Sequence, residues 1–374
     1  MAGRYGPNTV TDNLVLHLDA ANVESYAPAG TIPQKSESIA GGFIDDSSPP
    51  AHTSYYTILG DDGLYINSTA PINDWLGSFQ STVATTGYYT VVFEHQADDG
   101  SSSFKIQNNG VNAGAYTATI TTTTAKQIHT ETNNITSTGA STMYIARSGG
   151  TGNITITNFR LYKSDSAGNS VVWNDLSSND NNATIGTAVT FSSTNAGGLT
   201  TLNEQANSNT AINGTFSLNS LHFTWEIWFT DAGGTNIGND STGFCVKDSS
   251  GVGSGSSNSF RYRINISQFW TDGTYGALGG GITAYNTPTQ IVVQRSGLYA
   301  YVYRNGSVDP TASGALSGSL DNGTFVDYSM NDISKSSSGY GWNGTYYIVR
   351  MYDTALTSTE ILQNFNASKG RFGI

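Results

Sequence analysis

Apolar and polar residues alternate along most of this chain, and the alternation predicts strands. "LVLHLDA" sets Leu14, Leu16 and Leu18 on one face and Val15 and His17 on the other. "HFTWEIWFT" repeats the pattern: Phe223, Trp225, Ile227 and Phe229 point one way, and His222, Thr224, Glu226, Trp228 and Thr230 the other. "TQIVVQRSGLYAYVYRNGSV" predicts a meander with turns at Ser296-Gly297 and Asn305-Gly306, because Asn-Gly tolerates positive φ at both turn positions. "GTYYIVRMYD" is a late strand. One segment carries a helical period, "LTSTEILQNFNASKG". There Thr357 and Glu360 form a capping box, Ile361, Leu362 and Phe365 a stripe, and Gly370 a stop.

Between the first strand and the meander lies a second set: "SYYTILG", "GLYINS", "GYYTVVFEHQA", "SFKIQNNG", "AYTATITTTT", "TMYIARSGG" and "NITITNFRLYK". Turn signals separate them at the spacing of an antiparallel sandwich, and nothing from Ser36 to Lys163 reads as a helix. The expected fold class is therefore all-β: two antiparallel β-sandwiches of jelly-roll type, one inserted in a loop of the other, plus one short C-terminal helix. The expected division is a polar arm at 1–12, a main sandwich at 13–30 and 171–374, and an inserted sandwich at 31–170.

Composition narrows the function classes. The 374 residues suffice for two ordinary cores. Only 12% are charged and the net charge is -12, so a basic face for nucleic acid is excluded as an expectation. One cysteine, Cys245, rules out a disulfide framework and reads as a small buried hydrophobe. No apolar run has the length of a membrane span, and "MAGRYGPNTVTDN" lacks a signal-peptide core, so no membrane partner is expected.

"VTDNLVLHLDAANVESY", "WNDLSSNDNNAT", "FTWEIWFT", "YVYRNGS" and "YYIVRMYDTALTSTEILQNFNASKGRFGI" together resemble the concanavalin A-like, laminin-G-type jelly rolls. The variety is one frequent in structural proteins of tailed, often marine, bacteriophages. In that family the opening strand and the Trp-Asp-Leu-Ser segment are usually nearly adjacent; here the inserted block separates them. The block itself resembles jelly-roll carbohydrate-binding modules, with "NITITNFRLYK" as their closing strand.

The superfamily includes glucanases whose catalytic strand carries acids at i, i+2 and i+4, one sheet face holding nucleophile and acid. Here that strand offers Glu226, Trp228 and Thr230, one carboxylate of three, so no enzyme activity is expected. Two readings of the face stand. Glu226, Trp228 and His222 form a sugar platform, or they form an outer sheet face covered by helix, loop or neighbour. Tyr301, with Tyr299 and Tyr303, lines one strand face as either a contact surface or a half-buried one. In the inserted block Trp75 and Tyr88 are candidate ligand aromatics; in each of the pairs Tyr55-Tyr56 and Tyr88-Tyr89 at most one ring is free. Turn pairs Asp45-Asp46, Asp61-Asp62 and Asp98-Asp99 offer calcium as a cofactor or, more simply, solvated turns.

The resemblance implies a virion structural protein: a capsid decoration, head-fibre or tail-associated subunit displaying lectin-like domains. The rival is a glycan-binding adhesin or module of a bacterial surface protein, without catalysis. Expected partners are other virion proteins, further copies of the chain (a trimer most simply) and host cell-surface polysaccharide. Expected virion contacts are Tyr5 and Pro7 in the arm and Phe372 and Ile374 in the tail. Removal of residues 1–10 is expected to leave the thermal transition nearly unchanged.

Overall fold

A computed structural model describes residues 8–22, 24–33, 40–44, 54–60, 62–110, 117–193, 197–201, 212–231, 242–247, 259–263, 268–271, 274–276, 286–315, 324–330 and 344–374. The fold is all-β, with antiparallel sheets and one short C-terminal helix. Two compact units divide the chain: Met1–Tyr26 with Val172–Ile374, and Ala27–Val171.

Among the described residues the first unit holds two eight-stranded sheets. One runs Thr190–Ser192, Gly198–Thr201, Gly344–Tyr352, His222–Asp231, Thr289–Ser296, Tyr299–Arg304, Ser307–Ala315, with Leu14–Asp19 also paired to Gly344–Tyr352. The other includes Ala183–Ile185, Ile212–Asn219, Thr324–Met330 and Thr242–Lys247 in that order. Both sheets feed one core. Phe223, Trp225, Ile227 and Phe229 all turn inward, as their alternation requires, and Trp225 meets Phe244 edge-on at 4.7 Å. Cys245 is fully buried.

The opening strand and the Trp173–Ser177 segment with the Asn run after it are stitched together by hydrogen bonds that span 158 to 166 residues of sequence. Trp173 sinks into the core. The Asp175 carboxylate accepts from the His17 N–H at 2.7 Å, the Ser177 N–H at 2.9 Å and the Asn181 N–H at 3.0 Å. Asn181 and Asn179 donate through their amides to the Val15 and Leu14 carbonyls. The run of Asn, Asp and Ser thus satisfies the open edge of a strand whose sequence neighbour lies elsewhere.

The helix spans Ser358–Ser368, with the Thr357/Glu360 capping box in place. Two details differ from the sequence expectation. Leu362 is 45% exposed and the buried stripe is Ile361, Asn364 and Phe365, since the polar network beneath calls for an amide. Nor does Gly370 stop the chain: a 3-10 turn runs on from Lys369 to Phe372, and Gly373, at φ 71°, ends it. In the meander the first turn is Gly297-Leu298, Gly297 at φ 59° taking the first central position of a II′ turn, while Asn305-Gly306 holds its expected place.

The second unit has two five-stranded sheets among its described residues. One orders Ala40–Ile44, Trp75–Val83, Gly139–Gly149, Ser103–Gly110, Thr117–Thr121; the other Tyr56–Ile58, Leu64–Ile66, Ile154–Lys163, Gly87–Ala97, Gln127–Ile135. Phe79, Phe93, Phe104, Phe159 and Ile145 fill the space between, with Phe79 stacked on Phe159 at 4.0 Å. Sequence alternation missed the strands Ala40–Ile44, Trp75–Val83 and Gln127–Ile135, the first two because Gly or Ser interrupt it, the third because polar residues occupy both faces. The unit's ends run side by side, the Ala27 carbonyl accepting from the Ser170 N–H at 2.9 Å.

Candidate functional site

Glu226 and Trp228 do not form an open platform. Both are sealed under the C-terminal helix and 3-10 turn, at 1% and 0% exposure. Glu226 Oε1 accepts from Arg350 Nη1 at 2.8 Å, Trp228 Nε1 at 2.9 Å and Gln290 Nε2 at 2.9 Å; its Oε2 accepts from Asn364 Nδ2 at 3.0 Å. Arg350 continues the network to Ser368 Oγ and to His17 Nε2. Burial, then the Arg350 charge, lower the His17 imidazole to about 3, so it is a neutral acceptor here. Trp228 is stacked by Phe365 and, at 4.5 Å, by Phe372. Both carboxylate oxygens are engaged by the protein.

Phe372 is therefore spent on its own sandwich, and Ile374 remains exposed at 47%. His222, at the same strand's open end, is exposed but stands apart from Glu226 by two inward-turned pleats. Tyr301 is half-buried against the cluster that includes Val292, Tyr303 and Ile361, and stacks on exposed Tyr299 at 6.4 Å; Tyr303 is buried. Tyr5 and Pro7 lie outside the described residues. The next residues of the arm dock on the helix: the Val10 N–H donates to Asn364 Oδ1 at 2.9 Å and Tyr352 Oη donates to the Val10 carbonyl.

Of the turn acids, Asp45, Asp46 and Asp61 lie outside the described residues, and Asp62 pairs with Arg160 at 2.6 Å. Asp98 and Asp99 accept backbone N–H groups of Asn153, Ser101, Ser102, Thr151 and Gly152. Among the described residues no cluster of three or more His, Cys, Asp or Glu side chains suits a metal ion.

Besides the Tyr299–Tyr301 pair, an open aromatic surface lies in the second unit. Strand parity alone would turn Trp75 inward with Gly77 and Phe79. A register shift opposite Ile145 and Ala146 adds a residue, so Leu76 fills the core and Trp75 emerges on the outer face, 36% exposed. Tyr144, half-buried on the adjacent strand, meets Trp75 edge-on at 6.0 Å. Ala146, fully buried, lies between Trp75 and Lys105 in one cross-strand row. Lys105 Nζ donates to Asn73 Oδ1 at 2.6 Å. Asn73 sits at φ 63°, a left-handed conformation that asparagine tolerates, and its N–H is held by the Arg147 carbonyl. Gln107, exposed, stands opposite Tyr144. Two rings, two amides and an ammonium thus share one solvent-facing surface. Tyr88, 40% exposed, is on the other sheet and joins none of them; its neighbour Tyr89 is buried. Alternation of "TMYIARS" puts Tyr144 and Ala146 on one face, but its pairing with Trp75 depends on a register that the sequence does not display.

No protein-family model matches the sequence, and no curated protein matches it. Solved structures that are similar include Trypanosoma rangeli sialidase, at 12% identity and TM-score 0.40, covering 54% of this chain and 31% of that one. Domain 4 of AbnA, a GH43 extracellular arabinanase from Geobacillus stearothermophilus in complex with arabinotriose, is similar at 14% identity and TM-score 0.40, over 52% of this chain and 92% of that one. The binding domain of botulinum neurotoxin serotype D/C is similar at 12% identity and TM-score 0.39, over 52% and 49%. The chain spans about a third of the length of the sialidases it matches.

Proposed function

We propose that this chain is a non-catalytic saccharide-contacting structural subunit, carried on the surface of a tailed-phage particle. The Trp75–Tyr144 pair carries the saccharide reading. An exposed indole beside a phenol ring offers the flat apolar face on which a pyranose stacks, and Asn73, Gln107 and Lys105 supply hydrogen-bonding groups at its margin. The state of Glu226 supports the absence of glucanase chemistry. A buried carboxylate held by Arg350, Trp228, Gln290 and Asn364, with no second acid at Trp228 or Thr230, has no open route to a glycosidic bond and lacks the partner that a carboxylate pair needs. The virion setting rests on the laminin-G-type sequence pattern. Expected contacts there are Ile374 and the segment bearing Tyr5 and Pro7, with copies of the chain assembled as a trimer.

Binding of the full chain to a panel of immobilised polysaccharides tests the reading. Trp75→Ala, which removes a surface ring, is expected to abolish binding and to cost under about 1 kcal/mol of stability. A Trp75→Ala chain that binds as tightly as the wild type would sink it.

A further inference from the structure

The strands of the sheet bearing Trp75 carry no carboxylate. The protein has 28 acidic and 16 basic side chains, yet the five strands of this sheet, "AGGFI", "WLGSFQSTV", "SFKIQNNG", "TATIT" and "GASTMYIARSG", contain no Asp or Glu. They contain two cations. Arg147 is buried and turned to the end of the core, where it donates to the Gly150 and Asn67 carbonyls. Lys105 is on the outer face, and its partner is the neutral Asn73 amide. Asp74, which directly precedes Trp75, is half-buried in the turn and already engaged, and Asp45 and Asp46, which follow Ile44, lie outside the described residues. This lysine is held by an amide rather than a carboxylate, with two ammonium protons left over, beside two aromatic rings.

From this juxtaposition we infer that the Trp75–Lys105 face selects an anionic saccharide, a pyranose polymer bearing ring carboxylates. The inference rests on the saccharide reading above and adds its ligand class. Trp75 and Lys105 stand two strands apart, about 10 Å at the usual strand spacing. A sugar ring stacked on the indole then brings its exocyclic carboxylate, or that of the next residue, to the ammonium over Ala146. The absence of strand carboxylates removes the repulsion that such a polymer meets elsewhere on a chain of net charge -12.

Isothermal titration of the full chain with alginate, carboxyl-reduced alginate and dextran sulfate tests this. Alginate is expected to bind at least about tenfold more tightly than its reduced form, the worth of one charge-assisted contact. Lys105→Gln should erase that preference, and Lys105→Arg should keep it. Dextran sulfate bound with the same dependence on Lys105 would support the anionic class with sulfate as an alternative source. Equal binding of reduced and native polymer, or an unchanged preference in Lys105→Gln, overturns the charge selection; the saccharide reading then survives if Trp75→Ala still abolishes binding. No binding to any of the three overturns both.

Discussion

Glu226 and Arg350 meet at 2.8 Å beneath the C-terminal helix, with side chains 1% and 4% exposed. A buried pair adds little net stability, but removing one partner strands the other charge in the interior. Glu226→Ala is therefore expected to lower unfolding stability by about 3–5 kcal/mol, read from the urea midpoint of the first unit. Saccharide binding through Trp75 should persist under folding conditions. A loss below about 1 kcal/mol would show the network to be dispensable.

Two histidines tie stability to pH. His17 is lowered to about 3 by burial and Arg350, and His95 is lowered by burial and then by His129, which stands diagonally across from it on the neighbouring strand, opposite Phe93, with Glu131 beyond. Below the ordinary histidine value of about 6.5 the unfolded chain takes up these protons while the folded chain does not, so stability falls with pH. For His17 the loss runs from about 6.5 down to its folded value, about 1.4 kcal/mol per unit. The melting temperature should drop between pH 7.5 and 5, and drop less in His95→Gln. An equal drop in both proteins would remove His95 from the account.

Deletion of Ala27–Val171, with Tyr26 joined to Val172 through a short Gly/Ser linker, is expected to leave a cooperatively folding sandwich. Ser25 and Asn174 already share a backbone hydrogen bond at 2.7 Å, so a few residues close the gap. Calorimetry of the shortened chain should give a single transition; a broad, non-cooperative one would mean that the first unit's core depends on the second.

Removal of residues 1–10 should lower the melting temperature, contrary to the expectation from sequence. Asn364 and Tyr352 would lose their partner Val10, and Gln363 would lose the Asn8 carbonyl. Orphaned buried groups cost about 1–3 kcal/mol. An unchanged transition would mean that this docking contributes nothing.

Local alternation and capping chemistry made much of the fold legible. The inward row from Phe223 to Phe229 and the Thr357 cap follow from spacing alone. What escaped depended on distance along the chain. Glu226 and Trp228 read equally well as a platform or a covered face, because the helix that covers them begins some 130 residues later. Trp75 was legible as a candidate, but Tyr144, Asn73 and Lys105 were not. They reach it through a register shift and a left-handed asparagine, and neither leaves a mark in hydrophobic periodicity.

The side-by-side ends of the second unit carry a genetic consequence. Because entry at Ala27 and exit at Ser170 are joined by one hydrogen bond, a different sandwich with equally close ends fits the same gap without displacing a host strand. A recombination event at these two codons would exchange the whole second unit in one step and leave the first unit's core unchanged, so that the two parts of the chain can vary at independent rates.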